Sequence, residues 1–119
     1  MPRARKGAAR KRSRNRLLKA TKGYWGSRGK LYSKASETYV RAMVYAFRDR
    51  KRRKRDFRKL WIIRINAATK QRGMNYSRFI NGLVNAKVEI DRKVLSETAI
   101  NDPTAFDELV ALSKQHVSS

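Results

Sequence analysis

Apolar and small residues recur through the middle of this chain at spacings of three and four. Leu31, Ala35, Tyr39, Ala42 (with Met43) and Ala46 mark one stripe, and Phe57, Trp61, Ile65 and Ala68 carry the same period onward. No Gly or Pro interrupts the run until Gly73, so the pattern predicts one helix from Tyr32 to Arg72. Its 41 residues would extend about 60 Å. That is longer than a globule of this size is wide, so its first part must project and needs a partner to lie against. Gly73 suits the residue just past the helix end, and Arg72 suits the negative end of the dipole.

Shorter periodic segments follow. Asn75 is placed to cap a helix starting at Tyr76, whose inward face is expected to be Tyr76, Phe79, Ile80, Leu83 and Val84. Val88 and Ile90 bracket Glu89 in a short extended link. Asp91 then caps a helix with Val94, Leu95, Thr98 and Ala99 turned inward. Asp102-Pro103 starts another, an acidic cap followed by Pro at the first helical position, with Phe106, Leu109, Val110 and Leu112 facing the core. Ser118 and Ser119 are expected to fray. The predicted fold is all-α, a long basic N-terminal helical extension plus a small C-terminal helical bundle.

Charge changes this picture most. The net charge is +22, but residues 1–59 hold 23 Lys or Arg against three acids, Glu37, Asp49 and Asp56, whereas residues 60–119 hold eight against six. The expected division is therefore a basic extension at 1–59 and a globular α-helical RNA-binding domain at 60–119. A charge excess of this size repels itself, and a polyanion relieves the repulsion. The densest run is Arg48, Arg50, Lys51, Arg52, Arg53, Lys54, Arg55, Arg58 and Lys59, nine of twelve positions.

Residues 1–22 contain ten bases and no acid, among them Arg3, Arg5, Lys6, Arg10, Lys11, Arg12 and Arg14. Helix is permitted from about Ala8 to Thr21, but like charges three and four apart oppose it, so order is expected on RNA and disorder without it. Lys22 to Arg28 reads KGYWGSR, and Gly23, Gly26 and Gly29 predict a loop or sharp turn. Tyr24 and Trp25, flanked by Lys22 and Arg28, suit stacking on bases while the cations hold phosphate. Packing of both rings on the following helix is the alternative. A second candidate RNA site is Asn75, Tyr76, Ser77 and Arg78 at a helix N-terminus, with Arg92 opening the next helix. There, a plain cap at Asn75 and a core role for Tyr76 are the competing readings.

Other classes fare poorly. There is no Cys, so disulfides and thiolate metal sites are excluded. The one His, His116, lies three residues from the end, and no ligand spacing appears; neither cofactor, metal nor enzymatic activity is expected. No apolar run approaches the roughly 20 residues that span a bilayer. The N-terminus lacks the apolar core of a secretory signal, although a basic, acid-poor start also resembles an organelle transit peptide. A DNA-compacting protein would share the charge without needing aromatics inside the basic half. A membrane-surface helix would need more than Phe57 as apolar residue within 48–59.

KGYWGSR at Lys22–Arg28, YAFRDRKRRKRDFRKLWIIRINAA at Tyr45–Ala68, GMNYSRFINGL at Gly73–Leu83 and EIDRKVL at Glu89–Leu95 carry a specific resemblance. Together they resemble the bacterial-type large-subunit ribosomal protein family numbered twenty, in register from about Met1 to Phe106. Two positions depart from the family pattern: Phe47 stands where Tyr is frequent, and Lys87 where a small residue, often Gly, is usual. The resemblance implies a cytoplasmic ribosomal protein with a long extension buried in large-subunit rRNA and a helical domain on that rRNA. It further implies neighbouring large-subunit proteins as partners and a role early in subunit assembly. In many bacteria, it also implies repression of the protein's own operon mRNA. Neither a membrane nor a small-molecule substrate is implied.

Overall fold

Forty consecutive residues without a helix breaker form a single helix, and in the structure, a computed structural model that describes residues 7–117, every regular element is helical. The elements in order are α1 (Gly7–Ala20), a short 3-10 turn (Gly26–Arg28), α2 (Tyr32–Gln71), α3 (Tyr76–Asn85), α4 (Arg92–Asn101) and α5 (Pro103–His116). The chain divides into two compact units, Met1–Lys51 and Arg52–Ser119, with the boundary inside α2.

In the first unit α1 buries none of its residues, and Leu17 and Leu18 are half-buried. Thr21, just past its end, is fully buried and donates its hydroxyl to the Leu17 carbonyl at 3.2 Å. Within KGYWGSR the expected loop contains a turn at Thr21–Gly23 and the 3-10 turn. The Ser27 carbonyl accepts from Leu31 N–H at 2.8 Å and leads the backbone into α2. Ala35 is the buried apolar residue of this unit, whereas Leu31, expected in the stripe, precedes α2 and is exposed.

In the second unit the core is Ile65, Ala68, Met74, Phe79, Leu83, Leu95, Phe106 and Val110, drawn from α2, α3, α4, α5 and the link after α2. Phe79 and Phe106 meet at 5.4 Å between ring centroids. The expected C-terminal helical bundle therefore forms, with the end of α2 as its first helix. Gly73 has φ 72°, the left-handed conformation that ends a helix cheaply. Its N–H reaches the Lys70 carbonyl at 3.1 Å and Met74 N–H reaches Thr69 at 3.0 Å, closing the two-bond motif that satisfies terminal carbonyls. α3 ends the same way, with Lys87 N–H on Val84 and Val88 N–H on Leu83, both 3.0 Å. There the left-handed residue is Lys87 at φ 56°, where the family resemblance leads one to expect Gly.

Two inward assignments are corrected. Val84 and Val94 are exposed. α3 crosses α5 at Gly82, where an added Cβ would run into the Ser113 carbonyl. This close approach centres the buried arc on Phe79, Gly82 and Leu83 and turns Val84 away. On α4 the arc is centred on Leu95 and Ser96, so Val94, about 150° from its middle, faces solvent. Asp91 and Asp102 cap as expected, accepting from Val94 N–H at 2.8 Å and Ala105 N–H at 3.1 Å. Asn75 occupies the cap position without a side-chain cap bond.

Candidate nucleic-acid interface

The central basic run sits on α2, and every residue from Phe47 to Leu60 is exposed. At about 100° per residue its cations point in all directions round the helix. Two of the nine have carboxylate partners: Arg48 pairs with Asp49 at 3.0 Å and Arg52 with Asp56 at 3.8 Å. Arg50, Lys51, Arg53, Lys54, Arg55, Arg58 and Lys59 have none among the described residues. Some of these cations lie over aromatic rings of the same helix: Arg48 over Tyr45 at 4.8 Å, and Lys51 over Phe47 at 4.6 Å. Such contacts hold the long side chains near the helix surface.

Arg10, Lys11, Arg12 and Arg14 are exposed along α1, while Arg3, Arg5 and Lys6 lie outside the described residues. In KGYWGSR, Lys22 and Arg28 are exposed and Tyr24 is half-buried. Trp25 is 89% exposed, so its ring does not pack on the following helix. An indole so open to water stands ready for a flat apolar partner.

In the second unit Asn75, Ser77 and Arg78 are exposed at the start of α3. Tyr76 takes the core role and also holds a cation. Its ring packs against the core cluster, and its hydroxyl accepts from Arg92 Nε at 2.8 Å, steering that guanidinium. Arg78 has no ion pair or hydrogen bond among the described residues. Beside it Gly73, Met74, Asn75, Arg78 and Lys114 line a crevice of about 400 Å³. Lys114 was absent from the sequence-based candidates, since 36 positions separate it from Arg78 and only the α3–α5 packing brings them together. Its Nζ donates to the Arg72 carbonyl at 3.1 Å. Arg72 itself is a structural cation: it stacks on Phe106 at 5.0 Å, pairs with Asp107 and donates to the Ala68 carbonyl at 3.0 Å.

A basic helix flanked by ordered turns and a small capped bundle fits the family described as Ribosomal protein L20, whose pattern matches residues 3–109. The chain belongs to the ribosomal protein L20 family. It is 51% identical to the large ribosomal subunit protein bL20 of Thermoanaerobacter sp. (strain X514) over 119 residues, the whole of both chains. With the bL20 of Geobacter metallireducens it shares 52% over 117 residues, 98% of this chain and all of the relative. With that of Geobacter sulfurreducens it shares 54% over 114 residues, 96% of this chain and 97% of the relative. An L20-family chain is a structural constituent of the large subunit and not an enzyme. Among the described residues no group of three or more His, Cys, Asp or Glu could hold a metal ion, and no helix is long and apolar enough to cross a membrane.

Proposed function

We propose that this large-subunit constituent binds large-subunit rRNA directly and promotes early subunit assembly by neutralising phosphates that would otherwise hold RNA segments apart. The observation that carries the reading is the set of seven cations between Arg50 and Lys59 with no carboxylate partner among the described residues, which cover about two thirds of the circumference of one helix. A solvated surface helix normally mixes its charges; one whose unpaired cations wrap about two thirds of the way round cannot use them all on a single groove. It suits a crevice where several RNA segments converge. On this reading residues 1–59 act as the penetrating arm and residues 60–119 as the module that fixes its position. Neighbouring large-subunit proteins complete the surroundings.

The docking surface on that module is the start of α3, where free N–H groups, Arg78 and Lys114 converge, with Arg92 alongside. The uncapped Asn75 side chain supports a contact role there rather than a cap. The same surface would serve for repression of the protein's own mRNA, if that mRNA presents a similarly shaped site.

The test is the salt dependence of binding to a large-subunit rRNA fragment. A plot of log affinity against log salt should fall with a slope steeper than about −4, reflecting release of condensed counterions. A flat plot would refute the proposal. On the isolated 60–119 module, replacing Arg78 and Arg92 by Ala should weaken rRNA binding about tenfold or more and leave its helical circular dichroism intact. Unchanged affinity would place the docking surface elsewhere.

A further inference from the structure

We infer that a crevice in the first unit takes a single unpaired nucleotide of the RNA, with a guanine base read by Glu37. The inference rests on the rRNA-binding reading and assigns a subsite within it. Arg28 on the 3-10 turn faces Lys34, Glu37, Thr38, Arg41, Ala42 and Tyr45 on α2, and together they line a half-open crevice of about 410 Å³. That is room for one nucleotide, in the range of small-molecule sites. Lys34, Glu37, Arg41 and Tyr45 fall at intervals of three and four, with Ala42 beside them, so they share one face of the helix.

Each wall offers one part of a nucleotide its partner. Arg28 and Lys34 are exposed cations suited to the phosphate. Ala42 contributes no side chain beyond Cβ and keeps the floor open. Tyr45 is half open to solvent, at 51%, and the guanidinium of Arg48 lies over its ring at 4.8 Å, so a base can stack on what remains uncovered. Glu37 is the unexpected member, because a carboxylate repels phosphate. Only three acids occur in residues 1–59, and the other two sit inside the basic run.

Arg41 Nη2 donates to Glu37 Oε1 at 2.9 Å, which fixes the carboxylate and leaves Oε2 without a partner among the described residues. A fixed carboxylate presents acceptors only. The Watson–Crick edge of guanine offers two adjacent donors, N1–H and the N2 amino group. Adenine and cytosine each place an acceptor beside their amino group, and uracil flanks its single N–H with two carbonyls. Guanine is therefore the base whose edge the carboxylate complements.

The experiment uses the full chain and uridine octamers carrying one central guanosine, adenosine, cytidine or no substitution, with affinity read by fluorescence anisotropy at fixed salt. The guanosine octamer should bind about tenfold more tightly than the all-uridine one. Glu37→Gln should bring the four within about twofold of one another by weakening the guanosine octamer, while the other three tighten slightly because a negative charge is removed. Tyr45→Leu should weaken the guanosine octamer without altering its salt slope. An absent guanosine preference in the unmodified chain, or one that survives Glu37→Gln, overturns the subsite. Salt slopes on the rRNA fragment, measured on the same samples, separate this from the broader reading. A steep slope without guanosine preference removes the crevice alone, whereas a flat slope removes the RNA reading with it.

Discussion

Ser96 is fully buried on α4, and its hydroxyl has no hydrogen-bond partner among the described residues. Such an orphan costs its desolvation, so Ser96→Ala should raise stability by about 1 kcal/mol, seen as a higher urea midpoint at unchanged slope. Its counterpart on α5, Ser113, is equally buried but donates to the Phe79 carbonyl at 2.9 Å and sits where α3 has Gly82. A methyl at Gly82 would run into the backbone of α5 as well as the Ser113 hydroxyl, and backbone cannot swing aside. Gly82→Ala should therefore destabilise by about 1–3 kcal/mol, and an unchanged urea midpoint would contradict this crossing. At Lys87 the strain lies in the backbone: a side chain at φ 56° crowds the following carbonyl. Lys87→Gly should relieve up to about 1 kcal/mol, less what Gly loses through its freer unfolded chain.

At the scale of elements, the helices differ in what holds them. α3, α4 and α5 are each 14 residues or fewer and are stabilised by caps and by burial of one face. α5 depends on Asp102, whose carboxyl is held below its ordinary value of 3.8 by the Thr104 hydroxyl and then by the Ala105 N–H. A depressed folded-state pKa contributes stability that is present above the unfolded value and lost as pH falls through the folded one. The melting temperature should accordingly drop as pH is taken below 3.8, and Asp102→Asn should blunt the part of that drop which belongs to this cap. α1 has no such support: none of its residues is buried, and no acid offsets its cations. A peptide of residues 7–31 should be largely non-helical in dilute buffer by circular dichroism and gain helix when rRNA is added. Strong helicity without a polyanion would count against the arm being shaped by its RNA.

For the molecule as a whole, charge decides behaviour. With +22 concentrated in the first half, binding to polyanion is governed by how many phosphates are neutralised. Replacing Arg53, Lys54, Arg55 and Arg58 together by Gln should reduce the salt slope by about 3–4 units without shifting the unfolding of the bundle, since none of the four is buried. Much of this was legible in the chain. The unbroken period from Tyr32, the Gly73 stop and the Asp91 and Asp102-Pro103 starts are local signals, written in residues adjacent to the structures they cause, so sequence alone determined the helices, their order and the basic run. What it could not determine depends on which helices touch. The close approach at Gly82 rotated α3 and exposed Val84; the packing of α3 on α5 carried Lys114 to Arg78; the fold tied Arg72 to Phe106 and Asp107 and set Arg28 opposite Glu37. Periodicity fixes which residues share a face, but the partner that covers a face is chosen by complementarity of shape across distant segments, and only the tertiary structure decides that.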